Sequence, residues 1–218
     1  MISTAFYFAV LSQIKNFGGT FMLLDLLKTR YSCRNFSSKT VSDDIIRYIL
    51  ECGRLSASGG NEQPWKFGII TDAKIIENIA EAASINYSQN WISKAPLIIV
   101  LCTQLMDYKD EVNCMNRFPS IKNEIRAMDN KIYSAINMEE HQTKIPGEHM
   151  VLAALEHGIY STWISSMDCE AVGEIIGIEG YIVTNVIVFG YPKEYNDVTP
   201  KKALNDITFT NHFGNITN

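Results

Sequence analysis

Apolar positions along the 218-residue chain change their period several times, and each change marks an element. Leu23, Leu24, Leu26 and Leu27 form a helical stripe ending near Arg30, after which Tyr31 to Phe36 reads as extended. Val41-Ser42-Asp43-Asp44 announces a second helix: Ser42 can cap it, the acidic pair suits its first turn, and Val41 with Ile46 can form a hydrophobic staple. Ile45, Ile46, Ile49 and Leu50 give its core face, with Gly53 near the stop.

Leu55 to Pro64 is a Ser/Gly/Asn loop that Pro64-Trp65 joins directly to a short strand, Lys66 to Ile70. Asp72 caps a helix running to about Ser84. Pro96 then opens the continuous apolar run Leu97 to Leu101, the pattern of a strand buried on both faces. The polar stretch from Gln104 to Lys144 contains a helix after Pro119, and Pro146-Gly147 separates it from a buried helix over Glu148 to His157. Tyr160 to Ser165 reads as a strand, Glu170 to Ile176 as a helix and Tyr181 to Phe189 as a β-branched strand, after which the tail turns polar. Helices alternating with buried strands imply a sheet covered on both faces. There is no internal repeat and no linker that would split the chain.

Residues 1–21 differ from the rest of the chain, because Phe17-Gly18-Gly19 breaks the pattern just before the leucine stripe. They read as an N-terminal extension, with 22–218 as one domain. The apolar run Ala5 to Leu11 has neither the basic residue before it nor the cleavage site after it that a targeting signal needs, and it is too short to span a bilayer.

Composition adds that 46% of the chain is apolar and 20% charged, which places it among folded globular proteins. The net charge of −5 without a basic block argues against nucleic acid or an anionic membrane as partner. Five scattered cysteines with no CxxC pair indicate neither zinc nor a disulfide framework, so a reducing cytoplasm is expected.

Two stretches carry candidate chemistry. Arg30, Ser32 and Arg34 alternate where a helix gives way to extended chain, which sets two guanidinium forks and a hydroxyl on one face toward a dianion such as phosphate. Taken alone, they also fit an ordinary solvated edge. In Ser56-Ala-Ser-Gly-Gly-Asn-Glu-Gln-Pro-Trp65, glycines let backbone approach a planar ligand while hydroxyl and amide groups meet its polar edge. Such a loop also fits a tight connection anchored by Trp65.

Together the two resemble the nitroreductase family of flavoenzymes, whose R-x-S-x-R and P-S-x-x-N-x-Q-P-W motifs occur in this order and separation. Here they read Arg30-Tyr-Ser32-Cys-Arg34 and Ala57-Ser58-Gly-Gly-Asn61-Glu-Gln63-Pro64-Trp65. Gly158-Ile-Tyr-Ser-Thr162-Trp163 looks like the family's G-L-G-T-x-W, while Gly190-Tyr-Pro192 and Lys201-Lys202-Ala-Leu204 are similar to its G-Y-P and R-K-P-L.

The resemblance implies an α+β fold layered α/β/α, with a central, mostly antiparallel sheet flanked by helices and a domain-swapped homodimer. It further implies FMN as cofactor, NADH or NADPH as transient co-substrate, and ping-pong transfer of hydride to a nitroaromatic, quinone or similar small acceptor. By position, Arg30, Tyr31, Ser32 and Arg34 would follow the phosphate and ribityl chain, and Lys201 or Lys202 would close on the phosphate. Ala57, Ser58 and Asn61 would face the flavin from the other subunit, and Thr162 with Trp163 would reach the ring. No catalytic side chain is required, since the chemistry belongs to the cofactor. Three positions depart from the pattern: Tyr31 stands where a second arginine is common, Ala57 replaces proline, and Lys201 replaces arginine, losing the bidentate fork.

Competing chemistries are weaker. His149 and His157 lie about 12 Å apart along a helix, too far for one metal, and His141 and His212 have no motif. No G-x-G-x-x-G follows a strand. Cys33 points away from Ser32 toward the core in an extended chain, which disfavours a redox thiol. The alternatives kept open are an FMN sensor or store with little turnover, and a flavin-dependent reductive dehalogenase or dehydrogenase. Met106, Tyr108, Met115, Phe118 and Met128 are candidates to line an apolar pocket under a lid.

Overall fold

The computed structural model describes residues 23–85, 87–105, 119–133 and 142–213. The boundary expected after residue 21 and most of the expected lid lie outside them. Helix α1 is Leu23–Thr29, α2 Asp43–Arg54, α3 Ala73–Ala82, α4 Lys122–Ala127, α5 Lys144–Glu156 and α6 Cys169–Ile176. Strands β1 (Trp65–Ile70), β2 (Leu97–Gln104), β3 (Tyr160–Ile164) and β4 (Tyr181–Gly190) form one sheet in the order β1-β2-β4-β3, every pairing antiparallel.

The apolar run of β2 is buried on both faces because its side chains alternate between two cores. Ile98, Val100 and Cys102 pack with Ile76 and Ile79 of α3 and Val172 of α6. Leu97, Ile99 and Leu101 pack with Ile46 and Ile49 of α2 and Met150, Val151 and Ala154 of α5. Each such aliphatic side chain contributes about 1.5–3 kcal/mol relative to leaving it in water. The layers are therefore α/β/α, as the alternation of helical and strand periods predicts. A bulge lies between Leu101 and Cys102, opposite Asn185 and Val183, and leaves Thr184 as the extra residue of β4. That extra residue turns Val183 to the same face as Val186 and Val188.

Local chemistry explains the helix ends. Asp72 caps α3 by accepting from the Lys74 and Ile75 amides at 2.9 and 3.0 Å, and Asp168 caps α6 in the same way. Ser42 occupies the N-cap of α2 with extended backbone, but its hydroxyl makes no capping bond. Val41 and Ile46 are both buried in one cluster, as a staple requires.

Pro146-Gly147 does not separate two segments: α5 begins at Lys144 and carries both residues in its first turns. A proline near a helix start removes an amide that has no intrahelical acceptor anyway. Gly147 is needed because a Cβ there would stand 2.3 Å from the Trp163 ring and 2.8 Å from Leu101 Cδ1. Gly53 likewise lies inside α2, where a Cβ would meet the Met150 methyl at 2.1 Å, so it sets the close approach of α2 to α5. Of the α1 stripe only Leu26 is buried, leaving Leu23, Leu24 and Leu27 exposed. None of the helices among the described residues is long and apolar enough to cross a membrane.

Candidate functional site

The segment after α1 runs along the outer edge of β3. Ser32 forms a parallel bridge with Ser161, the Cys33 amide donates to the Ser161 carbonyl at 3.1 Å, and the Thr162 hydroxyl donates to the Cys33 carbonyl at 2.6 Å. Further on, the Ser37 amide donates to Tyr191 and the Lys193 amide to Asn35, binding the strip to the chain beyond β4. Extended backbone then sorts the side chains. Tyr31, Cys33 and Phe36 are buried, while Ser32 and Arg34 are exposed and Arg30 is half-buried.

Arg30, Ser32 and Arg34 are thus the more exposed positions of the segment, and Cys33 is buried in the core. Its burial raises the thiol above its ordinary value, consistent with a packed side chain. Tyr31 is different from the sequence-based expectation. Its ring packs tilted against Tyr160 with centroids 4.6 Å apart and its hydroxyl donates to the Glu194 carbonyl at 3.3 Å, so only its backbone follows the strip. A second arginine at that position would have to enter the core.

Arg34 opens onto a cavity of about 370 Å³ lined also by Tyr87, Gln89, Trp91, Thr162, Trp163 and the two serines after β3. Its guanidinium carbon lies 5.7 Å from the centroid of the Trp91 ring. Neither Arg30 nor Arg34 forms an ion pair with a carboxylate among the described residues, and the same holds for Lys201 and Lys202, both exposed. They are available to an anion.

Thr162 and Trp163 both line the cavity, on different terms. The Thr162 hydroxyl is already committed to Cys33, whereas the Trp163 ring packs toward α5 and its indole N–H donates to Glu148 at 3.3 Å. The loop 84–95 supplies Tyr87, Gln89 and Trp91, which belong to neither motif stretch. Nothing in their spacing marks them, and only the fold brings them back beside Arg34.

The second stretch lies elsewhere. Ala57, Ser58 and Asn61 precede β1, at the sheet edge opposite β3, and three strand spacings make about 14 Å between those edges. Ser58 and Gln63 shape the loop, the Gln63 amide donating to the Ser58 hydroxyl at 3.0 Å, while Gly59 donates to Gln142 at 3.1 Å. Gly60, Asn61 and Gln63 all have positive φ, at 55°, 58° and 49°, so two non-glycine residues are held in a costly conformation. Ala57 and Asn61 remain exposed, and no hydrogen bond joins this loop to Arg30, Ser32 or Arg34. His149, one of the histidines without a metal motif, pairs with Ser56 at 2.7 Å beneath the loop. Met106, Tyr108, Met115 and Phe118 lie outside the described residues, and Met128 packs against Ile125 and Tyr133.

Residues 27–191 match the model of the nitroreductase family, and the chain belongs to that family, which makes it an oxidoreductase. A protein of Archaeoglobus fulgidus that carries the name NADH dehydrogenase/NAD(P)H nitroreductase is 29% identical over 179 residues, 80% of this chain and 87% of its own. The major NAD(P)H-flavin oxidoreductase of Aliivibrio fischeri is 26% identical over 206 residues, covering 83% of this chain and 94% of its own. Among solved structures, the NADPH:FMN oxidoreductase of Vibrio harveyi complexed with NAD+ aligns with a TM-score of 0.67 at 19% identity, over 89% of this chain and 79% of its own. The expected α+β fold with an antiparallel sheet between helical layers is thus the fold of this chain.

Proposed function

We propose that the chain is an FMN-dependent NAD(P)H oxidoreductase acting as a homodimer, in which residues 22–218 form the FMN-binding domain and 1–21 an extension. The observation that carries this is the strip of unpaired cations beside an aromatic-walled cavity: Arg30 and Arg34 share one side of an extended segment, and Arg34 opens directly onto that space.

The residues present fit a phosphorylated flavin. Arg30 and Ser32, with Lys201 or Lys202, offer charge and hydrogen bonds to a phosphate dianion. Arg34 reaches from the same strip into the cavity, and Thr162 and Trp163 form the wall where a ring would lie. Bound FMN supplies the capacity to accept and return a hydride, and the protein supplies orientation and charge. Ala57, Ser58 and Asn61 stand at the far sheet edge of their own chain, so a second copy is the natural source of that face of the site. The exposed Leu23, Leu24, Leu27, Leu204, Ile207 and Phe209 support burial against such a copy. NAD(P)H and a nitroaromatic, quinone or similar acceptor would occupy the open space in turn.

The test is an absorbance spectrum of the purified protein before and after denaturation, beside the Arg30→Ala/Arg34→Ala variant. A yellow protein releasing about one FMN per chain, and a variant that stays folded yet colourless, are expected. A wild-type protein that neither carries nor takes up FMN would overturn the proposal, and a variant that keeps its flavin would overturn the phosphate assignment.

A further inference from the structure

Arg34 is the one cation of the strip that enters the cavity, yet no carboxylate among the described residues holds it there. An exposed arginine without a fixed partner samples many rotamers, and ordering it on a ligand costs side-chain entropy. The neighbour that limits this freedom is Trp91, whose ring centroid lies 5.7 Å from the guanidinium carbon, within the range of a cation–π contact.

Trp91 is in turn held on three sides. Its ring lies 6.5 Å from that of Phe36, two residues beyond Arg34 in the same strip. It stands at the N-cap of the short helical turn Ile92–Lys94, whose Ile92 is fully buried. Two residues before it, Gln89 is buried and its amide donates to the Ala83 carbonyl and, at 3.1 Å, to the Ser166 carbonyl, while its backbone N–H donates to Ser84 Oγ at 3.0 Å. Gln89 therefore ties the loop to the end of α3 and to the chain leaving β3, and the latter lines the same cavity.

We propose that Trp91 is the positioning residue for Arg34: an aromatic platform, clamped by Gln89, that presents the guanidinium to the anionic ligand of this cavity. The inference rests on the flavin reading of that cavity. It accounts for an arginine that is poised without being neutralised, because an aromatic face holds a cation without quenching its charge as a carboxylate does.

Two measurements test it. In the apoprotein, the Arg34 Nε–Hε resonance should carry an upfield ring-current displacement that Trp91→Leu removes and Trp91→Phe retains in part. For FMN binding, followed by quenching of flavin fluorescence, Trp91→Ala and Trp91→Leu should each weaken affinity about tenfold, within the twofold to thirtyfold span of a cation–π contact. Trp91→Phe should recover most of the loss, and Trp91→Leu should cost no more affinity in an Arg34→Ala background. Equal behaviour of the Phe and Leu variants, additive losses, or an Arg34 resonance indifferent to residue 91 would each overturn the proposal. The resonance experiment decides the positioning role without flavin, whereas failure of wild type to bind FMN counts only against the proposed cofactor.

Discussion

The Thr162 hydroxyl and the Cys33 carbonyl, 2.6 Å apart and buried, join the cationic strip to the edge of β3. This side-chain bond lies one residue from Ser32 and one from Arg34, so it fixes the register of both against the sheet. Thr162→Val keeps the shape and strands the carbonyl. It should cost about 1–3 kcal/mol in urea unfolding and weaken FMN retention, while Thr162→Ser should keep both near wild type. An unchanged unfolding midpoint would show that the strip is held by its backbone bonds alone.

At Gly147 of α5 the Trp163 ring fills the space a side chain would need. Gly147→Ala should destabilise the fold by about 1–3 kcal/mol, because an aromatic ring packed on a strand yields less than a flexible methyl group. Gly53→Ala should cost less, since the clash there is with the end of Met150. Thermal unfolding of the two variants side by side ranks them.

Tyr48 donates to Glu156 at 2.6 Å, and this bond to a carboxylate raises its phenol to about 12 from an ordinary 10.0. Burial alone lifts the Cys102 thiol to about 12 from 9.0. Both groups hold their proton more tightly when folded, so their contribution is complete below the unfolded values and is lost as pH rises through about 9 to 12. Denaturant midpoints should therefore fall over that alkaline range, and Tyr48→Phe should make the fall above pH 10 shallower without abolishing it, because the Cys102 part extends to about 12.

Thr103 is fully buried on β2 and its hydroxyl has no hydrogen-bond partner. Removing an unsatisfied hydroxyl while keeping the branched shape is favourable, so Thr103→Val should raise stability by about 1 kcal/mol in equilibrium unfolding. A loss of similar size would mean that the hydroxyl is satisfied in solution.

The elements legible in the sequence were those with one dominant signal. The run Leu97 to Leu101 announces a doubly buried strand, Asp72 announces a helix start, and the alternation at Arg30, Ser32 and Arg34 gives the exposed side of the strip. Pro146-Gly147 misled because both residues usually punctuate, and only the Trp163 ring, brought in by β3, explains a glycine inside a helix. Tyr31 looked like a site residue by position, but the side it faces is set by the pleat. Trp91 and Gln89 could not be found by motif, since their role depends on a loop returning to a strip that lies far earlier in the chain.

The placement of the two motif stretches at opposite edges of one sheet has a genetic counterpart. On the proposed dimer, a chain damaged at Arg30 and a chain damaged at Asn61 still hold one complete set of groups between them. Two alleles that are each inactive alone would then restore activity when expressed together, as two different lesions within Arg30, Ser32 and Arg34 would not.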